Sequence, residues 1–96
     1  GPDVEELANG EYRVSSRLHI DDLAELLGVE ISDEGVDTVG GLMAKRLGIV
    51  PIPGASVDLD SWTLTAESTA GRRHRIDTVV ISRDSFMTED EVESND

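Results

Sequence analysis

The sequence predicts an α+β fold, in which an antiparallel sheet has two helices packed on one face, in the order β-α-α-β-β-β. Three observations lead to this fold class. Apolar and polar residues alternate along 11–18, and they alternate again between 55 and 82. Two amphipathic stretches with a helical period lie between these regions, and each ends at a glycine. Strands and helices in separate runs are typical of α+β domains.

The first predicted strand is "EYRVSSRL", residues 11–18. Tyr12 and Val14 fall on one face, and the charged residues between them fall on the other. Asn9-Gly10 in front of the strand is a turn signal. We therefore expect the folded domain to begin near residue 10.

The first predicted helix lies within "HIDDLAELLG", residues 19–28. Asp21 and Asp22 fall in its first turn, where acids interact favourably with the positive end of the helix dipole. Gly28 is a natural cap for its C-terminus. The apolar residues spaced for one helix face are Ile20, Leu23, Leu26 and Leu27.

The second predicted helix lies within "DTVGGLMAKRLGIVPIPGA", residues 37–55. Asp37 or Thr38 is expected to cap it by accepting a backbone N–H. Its apolar face is formed by Val39, Leu42, Met43 and Leu47. The segment contains a structural motif with four parts. These are the N-terminal cap, the glycine pair, the C-terminal cap and a turn, formed in that order by Asp37 and Thr38, Gly40 and Gly41, Gly48, and Pro53 and Gly54.

The remaining folded chain predicts three strands, at 55–59, 62–68 and 73–82, with a hairpin turn around Gly71 between the last two. The last strand breaks strict alternation, which predicts a bulge or burial on both faces. One core should hold residues from both helices and from the central strand: Trp62, Leu64, Leu23, Leu27, Leu42 and Leu47.

Acidic residues dominate the charge, and they concentrate at the ends. The formal net charge is −13 over 96 residues, and the chain has no cysteine. We interpret 1–9 as an acidic N-terminal segment, with Gly1-Pro2 typical of a protease scar left by removal of a tag. Residues 84–96 hold six acids and no base, which predicts a disordered tail, with docking of Phe86 and Met87 as the alternative. Such a chain repels phosphate backbones, so nucleic-acid binding is excluded.

Three segments together resemble a known family, the CorC/HlyC transporter-associated domain. They are "YRVSSRLHIDDLAELLG" (12–28), "DTVGGLMAKRLGIVPIPGA" (37–55) and "RRHRIDTVVISR" (72–83). The resemblance covers roughly residues 10–83, and it implies a domain on the cytosolic side of a CorC-type magnesium and cobalt efflux protein or hemolysin-C-like protein. It also implies that CBS modules and a membrane-embedded region precede the domain. The fold of the family is similar to a subdomain of PCMH-type FAD-binding proteins. No catalytic residues are carried over.

Gly40 and Gly41 at the start of the second helix allow two interpretations. They could expose backbone N–H groups to an anion. Alternatively, they let the helix approach the sheet or the first helix closely, because a side chain would block the contact. The acids nearby repel phosphate, so we expect close packing, with Gly41 against the neighbouring backbone.

Few other residues suggest a chemical site. Four acids, Glu30, Asp33, Glu34 and Asp37, form a loop that is either solvated or a weak contact for a hard divalent cation. His19 and His74 lack the spacing of a zinc site, and no nucleophile motif surrounds Ser15, Ser16 or Ser56. Arg72, Arg73 and Arg75 form a small basic cluster. It is either a charged edge strand of the sheet or a surface for an acidic partner or anionic lipid headgroups.

The lack of a catalytic motif favours a non-catalytic module, and the family resemblance implies that it modulates divalent-cation transport as part of a longer membrane protein. Two alternatives stay open: a small-ligand module for FAD or a nucleotide, and a divalent-cation sensor that uses the acidic loop. A homodimer is also open. We expect no FAD binding, because aromatic residues are scarce and the link of this family to FAD rests only on the similarity of its fold to that of FAD-binding proteins.

Overall fold

A computed structural model describes residues 3–68 and 75–84 as two helices against one five-stranded antiparallel sheet. The helices are α1 (Ile20–Leu27) and α2 (Val39–Leu47). The strands are β1 (Val4–Glu6), β2 (Tyr12–Ser15), β3 (Ser56–Leu59), β4 (Trp62–Glu67) and β5 (Thr78–Arg83). Their order across the sheet is β1-β2-β5-β4-β3. The predicted fold class is confirmed, with one strand more than the sequence indicated.

The additional strand is β1, which lies in the segment that the sequence assigned to an acidic N-terminus. It pairs with β2 from Val4 opposite Val14 to Glu6 opposite Tyr12. Val4 packs against the core, while the acids of β1 remain exposed. Asn9 and Gly10 both have positive φ between the two strands, so the predicted turn reverses the chain.

The ends of both helices follow local chemistry. α1 and α2 end at Gly28 and Gly48, as expected, and both glycines adopt the left-handed conformation. At the start of α2 the cap is Thr38 and not Asp37, because the Thr38 Oγ1 accepts the N–H of Gly41 at 3.1 Å. Capping of α1 was not predicted: the Nδ1 of His19 accepts the N–H of Asp21 at 3.1 Å.

Pro53 and Gly54 occupy the centre of a turn, as predicted. The N–H of Ala55 donates to the carbonyl of Ile52 at 3.0 Å, and Gly54 has a φ of +96°. A positive φ at the third position is what a type II turn requires. The turn directs the chain into β3, the edge strand beside β4.

β5 pairs without a break, so the predicted bulge is wrong. Its register with β4 runs continuously from Thr78 opposite Glu67 to Arg83 opposite Trp62. Val80 lies half-buried on the face opposite the core, and Ile76 precedes the strand. The loss of alternation in the sequence therefore comes from these two residues. The hairpin turn predicted around Gly71, the protease scar and most of the tail lie outside the described residues.

One core joins both helices to the sheet. Five of the six residues predicted to share it are buried: Trp62, Leu64, Leu23, Leu27 and Leu42. Leu47 is only half-buried and lies outside the cluster, so its prediction is wrong. Leu47 is the last residue of α2. The helix ends at Gly48, so no further helical turn follows Leu47.

Leu42 provides the test of this packing. Its side chain has no exposed area, so Leu42→Ala should lower the free energy of unfolding by roughly 2–5 kcal/mol through lost burial and a residual cavity. Leu47→Ala on the same helix is the matched control, because that side chain is partly solvated. Urea denaturation measures both variants. Equal losses at the two positions would show that the α2 face is assigned incorrectly.

Candidate functional site

The segments that begin the two helices are joined side by side by backbone hydrogen bonds. The N–H of Ile20 donates to the carbonyl of Asp37 at 2.9 Å, and His19 and Thr38 form an antiparallel bridge. We call this pairing of 16–20 with 37–40 the backbone seam. Two further bonds, from Val39 to Leu18 at 2.9 Å and from Gly40 to Ser16 at 2.8 Å, complete it.

The seam explains the first of the paired glycines. A Cβ at Gly40 would lie 3.2 Å from the carbonyl oxygen of Ser16 and 3.4 Å from its Cβ. A Cβ at Gly41 would instead meet the Thr38 Oγ1 at 3.3 Å and a methyl group of Val36 at 3.9 Å. Close approach to neighbouring backbone therefore occurs at Gly40, and its assignment to Gly41 was wrong.

The same seam removes the donors on which an anion site at the start of α2 would depend. The N–H groups of Val39 and Gly40 donate to carbonyls of the α1 side, and those of Gly41 and Leu42 donate to the side-chain and backbone oxygens of Thr38. The N–H groups of Val39, Gly40 and Gly41 are among those that anions ordinarily bind at a helix start. All three already donate to oxygens of the protein, which disfavours an anion site there.

A cleft of about 330 Å³ lies beside the seam. Arg17 and Arg75 provide its charge, and Val50, Pro51 and Ile76 its apolar wall. The rest of the lining comes from the seam itself: Ser16, Thr38, Gly40 and Gly41. Sequence reasoning missed this cleft, because its two arginines are far apart in the chain and are brought together only by the fold.

A second depression, of about 470 Å³, adjoins the cleft and shares Arg17, Arg75 and Ile76 with it. Asp3 and Asp77 also line it, so its charge is mixed. The cleft proper is the basic part of this surface.

An apolar ridge follows α2 on the other side of the cleft. We use this name for Ile49, Val50 and Ile52, whose exposed fractions are 65%, 77% and 55%. Pro51 between them is buried. Three aliphatic side chains within four residues thus remain in solvent on a loop anchored by that proline.

The acidic loop is tied to α2 by two ion-pairing or hydrogen-bonding contacts. Arg46 donates to both carboxylate oxygens of Asp33, at 3.0 and 3.1 Å, and Lys45 donates to the backbone oxygen of Glu34 at 2.6 Å. The hydrogen bond from Arg46 lowers the pKa of Asp33 despite partial burial. Within 3–68 and 75–84, no three His, Asp or Glu residues are grouped so that they could hold a metal ion.

A polar cluster spans the sheet face opposite the core. Arg13 of β2 donates to Glu67 of β4 and to Glu5 of β1, and Thr78 of β5 also donates to Glu67. Burial alone would raise the pKa of Glu67, but the bonds from Arg13 and Thr78 outweigh it and lower the pKa. This cluster ties four strands together, and its two carboxylates, Glu5 and Glu67, both accept hydrogen bonds from Arg13.

The other sequence candidates are separated. His19 serves as the α1 cap, and the Ser15 Oγ accepts the N–H of Arg17 at 3.1 Å. Ser56 is exposed on β3, remote in the sheet order from β2. Arg72, Arg73 and His74 lie outside the described residues. In the part of the chain that the structure describes, neither helix is long and apolar enough to cross a bilayer.

Comparison with known proteins identifies the family. The profile of the CorC_HlyC family, described as the transporter associated domain, matches residues 5–85. The chain belongs to this family. A UPF0053 protein of Mycobacterium tuberculosis is 50% identical over 82 residues, which is 82% of this chain and 19% of that protein. The magnesium and cobalt efflux protein CorC of Escherichia coli is 32% identical over 71 residues, 74% of this chain and 24% of that protein.

A solved CorC_HlyC fold agrees with the architecture. The CorC-associated region from Neisseria meningitidis MC58 superposes with a TM-score of 0.73 at 27% identity, and the match covers 85% of this chain and 99% of that one. The CorC_HlyC family is a transporter associated domain and not a known catalytic family. The chain spans about a fifth to a quarter of the length of the curated relatives it matches.

Gly40 gives a test of the seam. Gly40→Val should destabilise the domain by about 1–3 kcal/mol, because the new side chain crowds the Ser16 carbonyl, although helix propensity alone favours valine by a few tenths of a kcal/mol. Gly41→Val is the comparison, since its side chain meets no neighbouring backbone atom and the loss should be limited to that of the Thr38 cap, about 1 kcal/mol. Thermal unfolding compares the two. A larger loss at Gly41 would contradict the assignment.

Asp33 gives a test of the loop contact through pH. Its folded-state pKa is lowered by Arg46, so the ionised pair contributes stability that is fully present above the unfolded pKa of about 3.9. That stability is lost as pH falls through the lower, folded value. The difference in unfolding free energy between wild type and Asp33→Asn should therefore shrink between about pH 7 and about pH 3.

The matched control is Glu34→Gln in the same loop. Glu34 contacts Lys45 through its backbone oxygen, which the substitution keeps. Denaturant unfolding at several pH values measures all three proteins. A difference between wild type and Asp33→Asn that is constant with pH would show that the Arg46 contact does not stabilise the fold.

Proposed function

We propose that this domain is a non-catalytic regulatory module of a CorC-type divalent-cation transporter, on the cytosolic side of the membrane. The observation that supports it best is the apolar ridge on a domain whose family is transporter associated. The printed function of the Escherichia coli relative, magnesium and cobalt efflux, supports the choice of cation class. Modulation then acts through contact between the ridge and the remainder of the transporter.

The ridge has the properties of a preformed contact surface. Burying exposed aliphatic side chains contributes roughly 25 cal/mol per Å², and Ile49, Val50 and Ile52 are all largely in solvent. Gly48 ends α2 on one side of the ridge, and the turn at Pro53 closes it on the other. Because the loop is held at both ends, little conformational entropy is lost when a partner binds.

The occupant that we propose for the ridge is another segment of the same longer protein. The matched region accounts for only 19% of the Mycobacterium tuberculosis relative and 24% of the Escherichia coli one, so most of a transporter of this kind lies elsewhere in the chain. The CBS modules and the membrane region implied by the family are the segments within reach. A second copy of the domain is the competing occupant.

The two alternatives receive less support. The PCMH similarity is an analogy of fold, and absence of FAD binding stays a prediction. Use of the acidic loop as a cation sensor competes with the bidentate contact that engages Asp33 with Arg46.

The test places two substitutions in a full-length transporter that contains this domain. Ile49→Ser with Ile52→Ser should leave the thermal stability of the isolated domain nearly unchanged, because both side chains are exposed. The same pair should change divalent-cation flux in proteoliposomes to the extent that deletion of 10–83 does. Ile49→Val with Ile52→Val, which keeps the ridge apolar, is the matched control.

Two outcomes would contradict the proposal. One is unchanged flux in both the serine pair and the deletion. The other is a normal flux with the serine pair together with loss of a dimer of the isolated domain, since the ridge would then serve self-association.

A further inference from the structure

Two arginines of the described residues have no partner there, and both line the same cleft. The other described bases all have partners. Arg13 donates to Glu67 and Glu5, and Lys45 donates to the Glu34 carbonyl. Arg46 donates to Asp33, and Arg83 lies over the ring of Trp62. Arg17 and Arg75 are exposed, and their side chains make no hydrogen bond or ion pair within 3–68 and 75–84. The fold therefore brings its two unengaged cations to one place.

Among the described residues that line the cleft there is no acid, although the chain has 21 of them. The lining is basic, hydroxylic, glycine or apolar. Asp3 and Asp77 line the adjoining depression and are not among the residues that line the cleft. An anion repelled by most of this surface meets local attraction here.

The chemistry of the lining narrows the class of ligand. A planar guanidinium group can donate two parallel N–H bonds to two oxygens of a phosphate, and two such groups balance the charge of a phosphate monoester better than that of a single carboxylate. The hydroxyls of Ser16 and Thr38 can add polar contacts, and Val50, Pro51 and Ile76 offer an apolar wall. The volume of about 330 Å³ is at the small end of the range for organic ligands.

We propose that this cleft binds a phosphate monoester that has an organic body, with Arg17 and Arg75 holding the phosphate and Val50, Pro51 and Ile76 contacting the body. The N–H groups of Val39, Gly40 and Gly41 already have acceptors, so the start of α2 contributes mainly shape and the Thr38 hydroxyl. The phosphate can belong to a soluble metabolite or to the headgroup of an anionic lipid. This site shares Val50 with the apolar ridge, but binding of the phosphate by Arg17 and Arg75 does not depend on a partner at the ridge.

The first experiment titrates the 96-residue chain with inorganic phosphate at constant ionic strength, observed by amide chemical shifts. Saturable shifts should be confined to amides around the cleft, with half-saturation on the order of 1 mM. Arg17→Gln and Arg75→Gln should each weaken binding about tenfold, which corresponds to the loss of one charge-assisted hydrogen bond.

Arg83→Gln is the matched control, because it removes the same charge from the far end of β5, where Arg83 stacks 4.2 Å over Trp62. Its phosphate affinity should stay within about twofold of wild type. Shifts that never saturate, or equal weakening by all three variants, would overturn the proposal in favour of nonspecific charge.

The second experiment distinguishes the sources of the phosphate. Tighter binding of glycerol 3-phosphate than of inorganic phosphate would identify a soluble ligand. Cosedimentation with phosphatidylcholine vesicles that contain phosphatidic acid, but not with phosphatidylcholine alone, would identify a lipid headgroup. If neither organic probe binds more tightly than inorganic phosphate, the apolar wall has no role and the proposed ligand class is wrong.

Discussion

The backbone seam between 16–20 and 37–40 is the constraint on which the rest of this domain depends. It places the starts of α1 and α2 side by side and fixes their separation through carbonyl and N–H groups that no side chain can adjust. Gly40 follows from it directly, since a Cβ at this position would lie only 3.2 Å from the Ser16 carbonyl oxygen that accepts the Gly40 N–H. The same bonds, together with the Thr38 cap, occupy the N–H groups of Val39, Gly40 and Gly41 in the first turn of α2.

With the helices in place, charged side chains are kept out of the core and pair with one another on its outside. The core contains no polar or charged residue among those described. Arg13 and Arg46 instead stand outside it, where each gathers acids from separate elements: Arg13 links β1, β2 and β4, and Arg46 links α2 to the loop at Asp33. Four of the described bases thus have partners within the domain. The two described bases without such a partner, Arg17 and Arg75, are the ones that remain for a ligand.

Sequence reasoning succeeded where the determinant is local. Gly28 and Gly48 end their helices because a left-handed residue is needed there, and β4 alternates between core and solvent as its pattern indicates. It failed where the determinant is a distant neighbour. Three residues of β1 are too short to show a period, the choice between Gly40 and Gly41 depends on where Ser16 lies, and the cleft exists only because the fold brings Arg17 to Arg75.

The loop between Gly48 and Gly54 joins the two surfaces to which function is assigned. Val50 belongs both to the apolar ridge and to the wall of the cleft, and buried Pro51 anchors the loop between them. A partner on the ridge and a phosphate in the cleft would therefore contact the same few residues from two sides. Coupling between two sites is reciprocal, so if occupancy of the cleft changes the affinity of the ridge for its partner, the partner must change the affinity of the cleft by the same factor. In that arrangement the loop 48–54, and not either surface alone, is the element that couples a small anion in the cleft to the partner on the ridge.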